Sequence, residues 1–555
     1  MKRRDLMRKA AAAMGGIGVG SITGASVLPG QQAHQGPADA KPFRPDPARM
    51  YATGQSAMMT TSHPLATQAG VAALKKGGTA ADAYLTAAIV QTVLEPTMTT
   101  LAGSLGMTYW DAPNGKLLSL GAGFASPKAE AGEFAPGDYV TARTAMVPGY
   151  VAGIYHASRL KGKLAWKELF EPAIHYAEDG FIMDHLLWGW AYEYSKWLGR
   201  YPEGRAIWYR DGYLLSVGDR VRQPQLALTL RRLAAEGPAY FYRGPFAKKF
   251  VEAVRARGSR MTEEDLANLW AAVERQADQR TSRIGEDAPR GRFREYEILA
   301  PSNAMMILAL NVVEAGDLRS RGRPTASADT LYYLLRIIQE IWHAGFEYRA
   351  DTRERMLSKE YARTVWQLVE SGPPRPYRGI NAGTCGVAVV DPAGSVAVGT
   401  HTSSSSPFGT GIFVDGVVVN RVIYSRTVKF PSGLSTAHLV LRDGKPCFAI
   451  ASPSRSFLTN IFQNTVNVLE FGMRLDESVK QPLFGAPGPE YPGEEIENRF
   501  PEEILAAVEK RGMPLVRVAP GYIHMGSGQA VQIDRAARTI HGVADWRRLG
   551  LAAGY

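Results

Sequence analysis

Hydrophobic residues recur every three or four positions through "HPLATQAGVAALKKGGTAADAYLTAAIVQTVLEP" (63–96), with a break at Gly77–Gly78. That period puts apolar side chains on one face of a helix, and paired glycines interrupt it, so two helices are predicted here. "GKLAWKELFEPAIHYAEDGF" (162–181) and "QLALTLRRLAAEG" (225–237) repeat the pattern and stop at Gly180 and Gly237, each a helix C-terminal signal. "MTEEDL" opens another helix, with Thr262 as N-cap and Asp265 three residues on, an arrangement like a capping box. Residues 272–292 are polar and rich in Arg and Asp and read as a loop, whereas "TLYYLLRIIQEIWHAGFEYR" (330–349) is strongly amphipathic. The region from about 60 to 270 therefore reads as mostly helical.

After about residue 380 the period changes from helical to alternating. "TCGVAVVD", "SVAVGTHTS", "GIFVDGVVVN", "HLVLRDGKPCFAIAS" and "AVQIDRAARTIHGVAD" are short β-branched runs split by D-G, P-A-G and R-D-G-K turns. They predict an antiparallel sheet of hairpins, with "FLTNIFQNTVNVLEFGM" as one helix among them. Helices followed by hairpins that enclose a helix argue for packed layers of helix and sheet.

Composition changes this picture little. The 555 residues are 45% hydrophobic and 21% charged, ordinary for a globular chain with ample material for a core. The net charge of +11 is scattered, with no basic run interleaved with aromatics in the body of the chain, so no nucleic-acid partner is expected. Part of the excess sits in "MKRRDLMRKAAAAMGGIGVGSITGASVLPG", where Arg3 and Arg4 precede a Gly- and Ala-rich, mildly apolar stretch. That is the order of a twin-arginine-type signal peptide, cleaved between Ala25 and Ala40. The expectation is export to the periplasm or beyond, with no membrane attachment after signal removal. Two cysteines, Cys385 and Cys447, are too few for a disulfide scaffold, though one bridge between them stays open. Ten single histidines without HExxH or CxxC spacing predict no metal site and no cofactor.

The texture changes at "INAGTCGVAVVD" (380–391). A threonine and a cysteine stand side by side after a glycine, at the mouth of a strand. Either this is a strand start, or it is a cut site that creates a new N-terminus.

Several motifs recur together in one order. They are "GGTAADA" (77–83), "MVPGYVAG" (146–153) followed by "GKLAWKELFEPAI", "FYRG" with "MTEEDL", "FGTG" (408–411), "LRDGKP", "NVLEFGMRLDESVKQPLF", "HMGSGQAVQID" and the terminal "AGY". From about residue 50 to its end the chain thereby resembles the γ-glutamyltransferase family of N-terminal-nucleophile hydrolases. The resemblance implies an α+β fold, a four-layer αββα sandwich self-cleaved into two subunits. The implied divisions are 1–40, signal and lead; 41–383, a helix-rich large subunit; and 384–555, a sheet-rich small subunit. Its implied partners are a small-molecule amide substrate and the two fragments of its own chain.

Family members cut themselves before a threonine that becomes both N-terminus and nucleophile. Counting back from Asp391, that threonine is Thr384, so the bond cut is Gly383–Thr384. A threonine hydroxyl is a weak nucleophile without an adjacent base. The α-amine released by the cut, with an ordinary pKa near 7.7 to 8.0, supplies one. Cys385 is the rival, but a cut there shifts the register by one and turns the side chain to the other face.

Counting back from Phe408 in "GTHTSSSSPFGTG", Ser403 falls where a family threonine supports the nucleophile, and Ser405 where an asparagine contacts substrate. Thr402 is expected beside them. The set that grips a glutamyl head group is missing. Gly123 stands for its arginine, Gly433 and Leu434 for two serines, and Ser425 for its aspartate. The two-glycine oxyanion turn reads "ASPSR", with Ser454 and Arg455 in place of the glycines, where backbone N–H groups still donate if the dihedrals allow. Arg421, Arg426 and Arg455 fall near the implied pocket, and an arginine fork suits a carboxylate. The expected reaction is hydrolysis or transfer of an amide acyl group that carries an acid but no α-amine, as in the similar oxamate amidohydrolase branch. The alternatives are a true γ-glutamyltransferase/glutathione hydrolase with altered contacts, and a non-catalytic exported binding protein on the same fold.

Overall fold

The computed structural model describes residues 50–555 except 131–133, 283–287, 302–303, 378, 380–382, 405–406, 423–436, 488–492 and 523. Two antiparallel sheets lie face to face. The first has six strands in the order Leu551–Gly554, Met58–Thr61, Gly383–Val390, Val396–Ser404, Ser104–Asp111, Lys116–Ala122. The second has seven: Tyr51–Gly54, Thr539–Ala544, Gln529–Asp534, Lys445–Ala451, Ala437–Arg442, Tyr296–Leu299, Arg290–Phe293.

Side-chain alternation along the strands explains the layering. Cys385, Val387 and Val389 enter a core shared with the helices Pro64–Lys75, Ala80–Leu94 and Tyr150–Lys161. Ala388 and Val390 enter a second core, between the sheets, with Val398, Leu439, Ala449 and Val531. The outer face of the second sheet packs Val440, Phe448 and Ile450 against the helices Ala304–Ala315, Ala328–Ala344 and Phe457–Leu469. The order is helix, sheet, sheet, helix. The strand Gly383–Val390 is buried along its whole length, as a strand covered on both faces must be.

The predicted helices are present at Pro64–Lys75, Ala80–Leu94, Pro224–Glu236 and Ala328–Ala344. Thr262 and Asp265 cap each other reciprocally, and Gly180 and Gly237 end their helices at φ +81° and +73°. The hairpins close through Asp443–Gly444 and Asp415–Gly416, all four residues at positive φ, as tight two-residue turns require. Two expectations are corrected. The helix Glu263–Asp278 runs through the first part of 272–292, and Arg290–Phe293 is a strand. The mostly helical first half also supplies Met58–Thr61, Ser104–Asp111 and Lys116–Ala122 to the first sheet. The sheet is thus assembled from both halves, because Gly383–Val390 needs partners on both edges and finds Met58–Thr61 on one.

Candidate active site

Thr384 is the second residue of the buried strand, at its open end. It shares a face with Gly386, where an added Cβ would lie 2.4 Å from Gln529 Oε1 of the second sheet. Thr384 therefore faces the space between the sheets. Cys385 is fully buried on the helix side, and burial first, then nearby Glu95, raises its thiol well above the usual range. It is a neutral packing residue, since the thiolate is the reactive form. Both cysteines are unbridged.

The ladder slips by one between Gly383 and Cys385. Gly383 faces Ser404 and Cys385 faces His401. Thr402 and Ser403 together span the interval opposite Thr384, a bulge that re-aims side chains at a strand end. The Thr384 hydroxyl donates to Thr402 Oγ1 at 3.3 Å. The Thr402 hydroxyl donates in turn to the Gly383 carbonyl and accepts from Ser404 N–H at 2.8 Å. Ser403, expected to support the nucleophile, lies on the helix face with His401, and its hydroxyl donates to the Met98 carbonyl at 3.2 Å. Strand parity fixes this: Thr402 shares the inner face with Val398, whereas Ser403 does not. Counting back from Phe408 crosses a loop, whose length no register constrains.

Two buried serines hold left-handed backbone conformations near this strand end, Ser404 at φ +85° and Ser454 at φ +77°. Such conformations are costly for a residue with a Cβ and cluster at functional sites. Ser454 holds a left-handed conformation of the kind that glycine favours, and its hydroxyl donates to the His524 carbonyl at 2.9 Å. Arg455 differs from expectation. Its guanidinium is buried against Glu495 at 2.5 Å, so its charge is already matched. Arg421 is attached at the site by its N–H to the Ser403 carbonyl, 3.3 Å. Its guanidinium stacks over Trp197 at 5.2 Å, Nε is buried without a partner, and no carboxylate pairs with it among the described residues. Gly123 is half-buried just beyond the strand Lys116–Ala122. Ser405, Ser425, Arg426, Gly433 and Leu434 lie outside the described residues, as does the twin-arginine segment.

Sequence reasoning missed the wall of this site. It comes from the helices His185–Glu193 and Ser195–Leu198. Trp190 meets the His524 ring edge-on at 5.2 Å, and Glu193 lies 3.8 Å from His524. Burial, then Arg455 and Arg548, lowers His524 to about 4. Tyr194 is pushed up to about 12 by burial, then by Glu193. The run "LLWGWAYEYSKWLGRY" carried a signal, an aromatic density beyond what one helix face needs.

The gamma-glutamyltranspeptidase family model matches residues 66–555, and the chain belongs to that family. It is 26% identical over 561 residues to the glutathione hydrolase proenzyme of Bacillus subtilis (strain 168), covering 90% of this chain and 92% of that one. It is 27% identical over 544 residues to the Acylase ACY 1 proenzyme of Pseudomonas sp. (strain SE83), covering 90% and 93%. The cephalosporin acylase from Bacillus halodurans shares the fold, with a TM-score of 0.76 at 21% identity over 95% of this chain and 99% of that one. The αββα architecture is that of the N-terminal-nucleophile hydrolases, and the chain is an enzyme of that class.

Proposed function

We propose that Thr384 is the nucleophile of a self-processing amidohydrolase or acyltransferase, freed by cleavage of the Gly383–Thr384 bond. The observation that carries this is the chain of hydroxyls from Thr384 through Thr402 to the Gly383 carbonyl. In the uncut chain Thr384 Oγ1 attacks the Gly383 carbonyl carbon. Its proton leaves toward Thr402, whose own hydroxyl faces the oxygen on which charge develops. The C–N bond breaks as the nitrogen takes a proton, leaving Gly383 esterified to Thr384 Oγ1. Water hydrolyses that ester, giving the Gly383 carboxylate and a free Thr384 amine. The amine then takes the proton of its own hydroxyl as that oxygen attacks a substrate amide. The amine product leaves and water, or an acceptor amine, releases the acyl group. Fragments 41–383 and 384–555 stay together on this reading, because the first sheet interleaves strands from both.

For the acyl group we propose a carboxylate-bearing chain without an α-amine. Arg421, stacked and unmatched by any described acid, supports a carboxylate partner. The absent glutamyl set argues against an α-amino-acid head group, which would be buried without its charge partners. An oxyanion contact from the Ser454 N–H is proposed from the match of "ASPSR" to the family's oxyanion turn. Export by the twin-arginine route is proposed from Arg3, Arg4 and the segment after them. Among the described residues no helix is long and apolar enough to cross a membrane.

The test is intact mass and N-terminal sequencing of purified protein, followed by turnover of glutaryl and γ-glutamyl p-nitroanilides. A small chain beginning Thr-Cys-Gly-Val and preference for the glutaryl anilide are expected. A small chain beginning at Cys385, or none after long incubation, rejects Thr384. Faster turnover of the γ-glutamyl anilide rejects the acyl assignment in favour of a true γ-glutamyltransferase.

A further inference from the structure

We propose that Arg548 is a positioning residue for Thr384: its buried guanidinium holds the Thr384 carbonyl and opposes positive charge on the amine that cleavage exposes there. The inference rests on Thr384 being the new N-terminus.

Arg548 follows the strand Thr539–Ala544 and is almost fully buried. Its Nη1 donates to the Thr384 carbonyl at 3.4 Å, and its Nη2 is buried without a partner among the described residues. Its neighbour Arg547 faces elsewhere and is matched by Glu497 at 2.5 Å and Asp545 at 3.0 Å. Arg548 has no such contact pair among the described residues. The carboxylate facing it is Glu95, which burial raises and which Gln91, Arg548 and Ser62 draw back toward the charged form; Ser62 holds it at 2.9 Å on both oxygens and Gln91 at 2.7 Å. Gln91 is fixed in turn by His401 at 2.9 Å. Glu95 cannot swing onto Arg548 without breaking these bonds. The other groups facing the pair leave the balance unchanged. Cys385 is held neutral by burial, His524 is lowered to about 4, Asp545 is taken by Arg547, and Arg455 by Glu495. His63 is lowered to about 3 by burial, and burial raises Asp184 toward its neutral form.

Before the cut, the Gly383 peptide restrains Thr384 from its N-terminal side. Afterwards that restraint is gone, and the carbonyl contact with Arg548 and the ladder from Cys385 onward remain. A residue's nitrogen and its carbonyl oxygen are about 3 Å apart, so the guanidinium reaches within roughly 7 Å of the amine. A buried cation at that range disfavours a second positive charge. The amine is thereby kept as free base, the form that accepts the Thr384 hydroxyl proton.

The measurement needs no substrate: the pH dependence of reductive methylation of the small-chain N-terminus, read by mass on the assembled, processed enzyme. R548Q should raise the inflection by about one pH unit, and R548K, which keeps the charge, should restore it. E95Q, which leaves Arg548 unopposed, should lower it. An inflection in R548Q equal to wild type overturns the proposal, as does R548K behaving like R548Q. If R548Q is not cut, E95Q decides, and an unmoved or raised inflection there overturns it. A wild-type chain without a free Thr384 amine fails the nucleophile reading instead, a separate result.

Discussion

The hydroxyl of Thr384 lies 3.3 Å from that of Thr402, across two strands that pair one residue out of step. Both side chains leave their strands toward the space between the sheets. The residues beside them, Cys385 and Ser403, point the other way into the helical layer. Parity, not chemical reactivity, thus decides which hydroxyls meet at this strand end.

T384A should remain one chain of full mass, whereas C385A should be cut at the same bond. Removing the buried Cys385 sulfur should cost about 1 kcal/mol of stability. Mass spectrometry reads the cut and denaturant titration the stability. A C385A chain that stays uncut would return the nucleophile to the cysteine.

T402V should slow self-cleavage by about 100-fold, since removing one preorganised donor to a developing oxyanion typically has that effect. T402S keeps the hydroxyl and should stay within severalfold of wild type. S403A should cleave at a near-normal rate, because its hydroxyl serves the Met98 carbonyl. Time courses on freshly purified precursor would separate the three.

R421Q should raise KM for a carboxylated acyl anilide tenfold or more, the worth of one charge-assisted pair. It should leave a neutral acetyl anilide within about threefold. Equal losses on both substrates would point to packing against Trp197 as the role of Arg421.

Acid should destabilise the fold through its buried histidines. His63, His401 and His438 are each lowered by burial from 6.5 to about 3. Between those values the unfolded chain binds protons that the folded one refuses. Each histidine's contribution is therefore complete above about pH 6.5 and is lost as pH falls toward 3, at about 1 kcal/mol per pH unit. Denaturant titrations of uncut T384A at pH 7, 5 and 4 should show the midpoint falling. H401Q, placed between Thr99 and Gln91, should flatten the slope even as it lowers the pH 7 value. An unchanged slope would place the sensitivity elsewhere.

Periodicity alone determined the main helices, their caps at Thr262, Gly180 and Gly237, and the hairpins turning at Asp415–Gly416 and Asp443–Gly444. These depend on contacts within a few residues. The order of motifs along the chain carried the family, and the spacing back from Asp391 picked out Thr384 because no loop intervenes. Tertiary structure decided what depends on distant chain. Met58–Thr61 became a strand by pairing with Gly383–Val390. Thr402, rather than Ser403, met the Thr384 hydroxyl because a bulge sets parity there. Glu495, forty residues away, matched the charge of Arg455. Arg548 reached the Thr384 carbonyl across 164 residues of sequence. No local pattern encodes a partner that only folding brings within 4 Å, so the motif order could point to Thr384 as the candidate nucleophile but not to the groups that surround it.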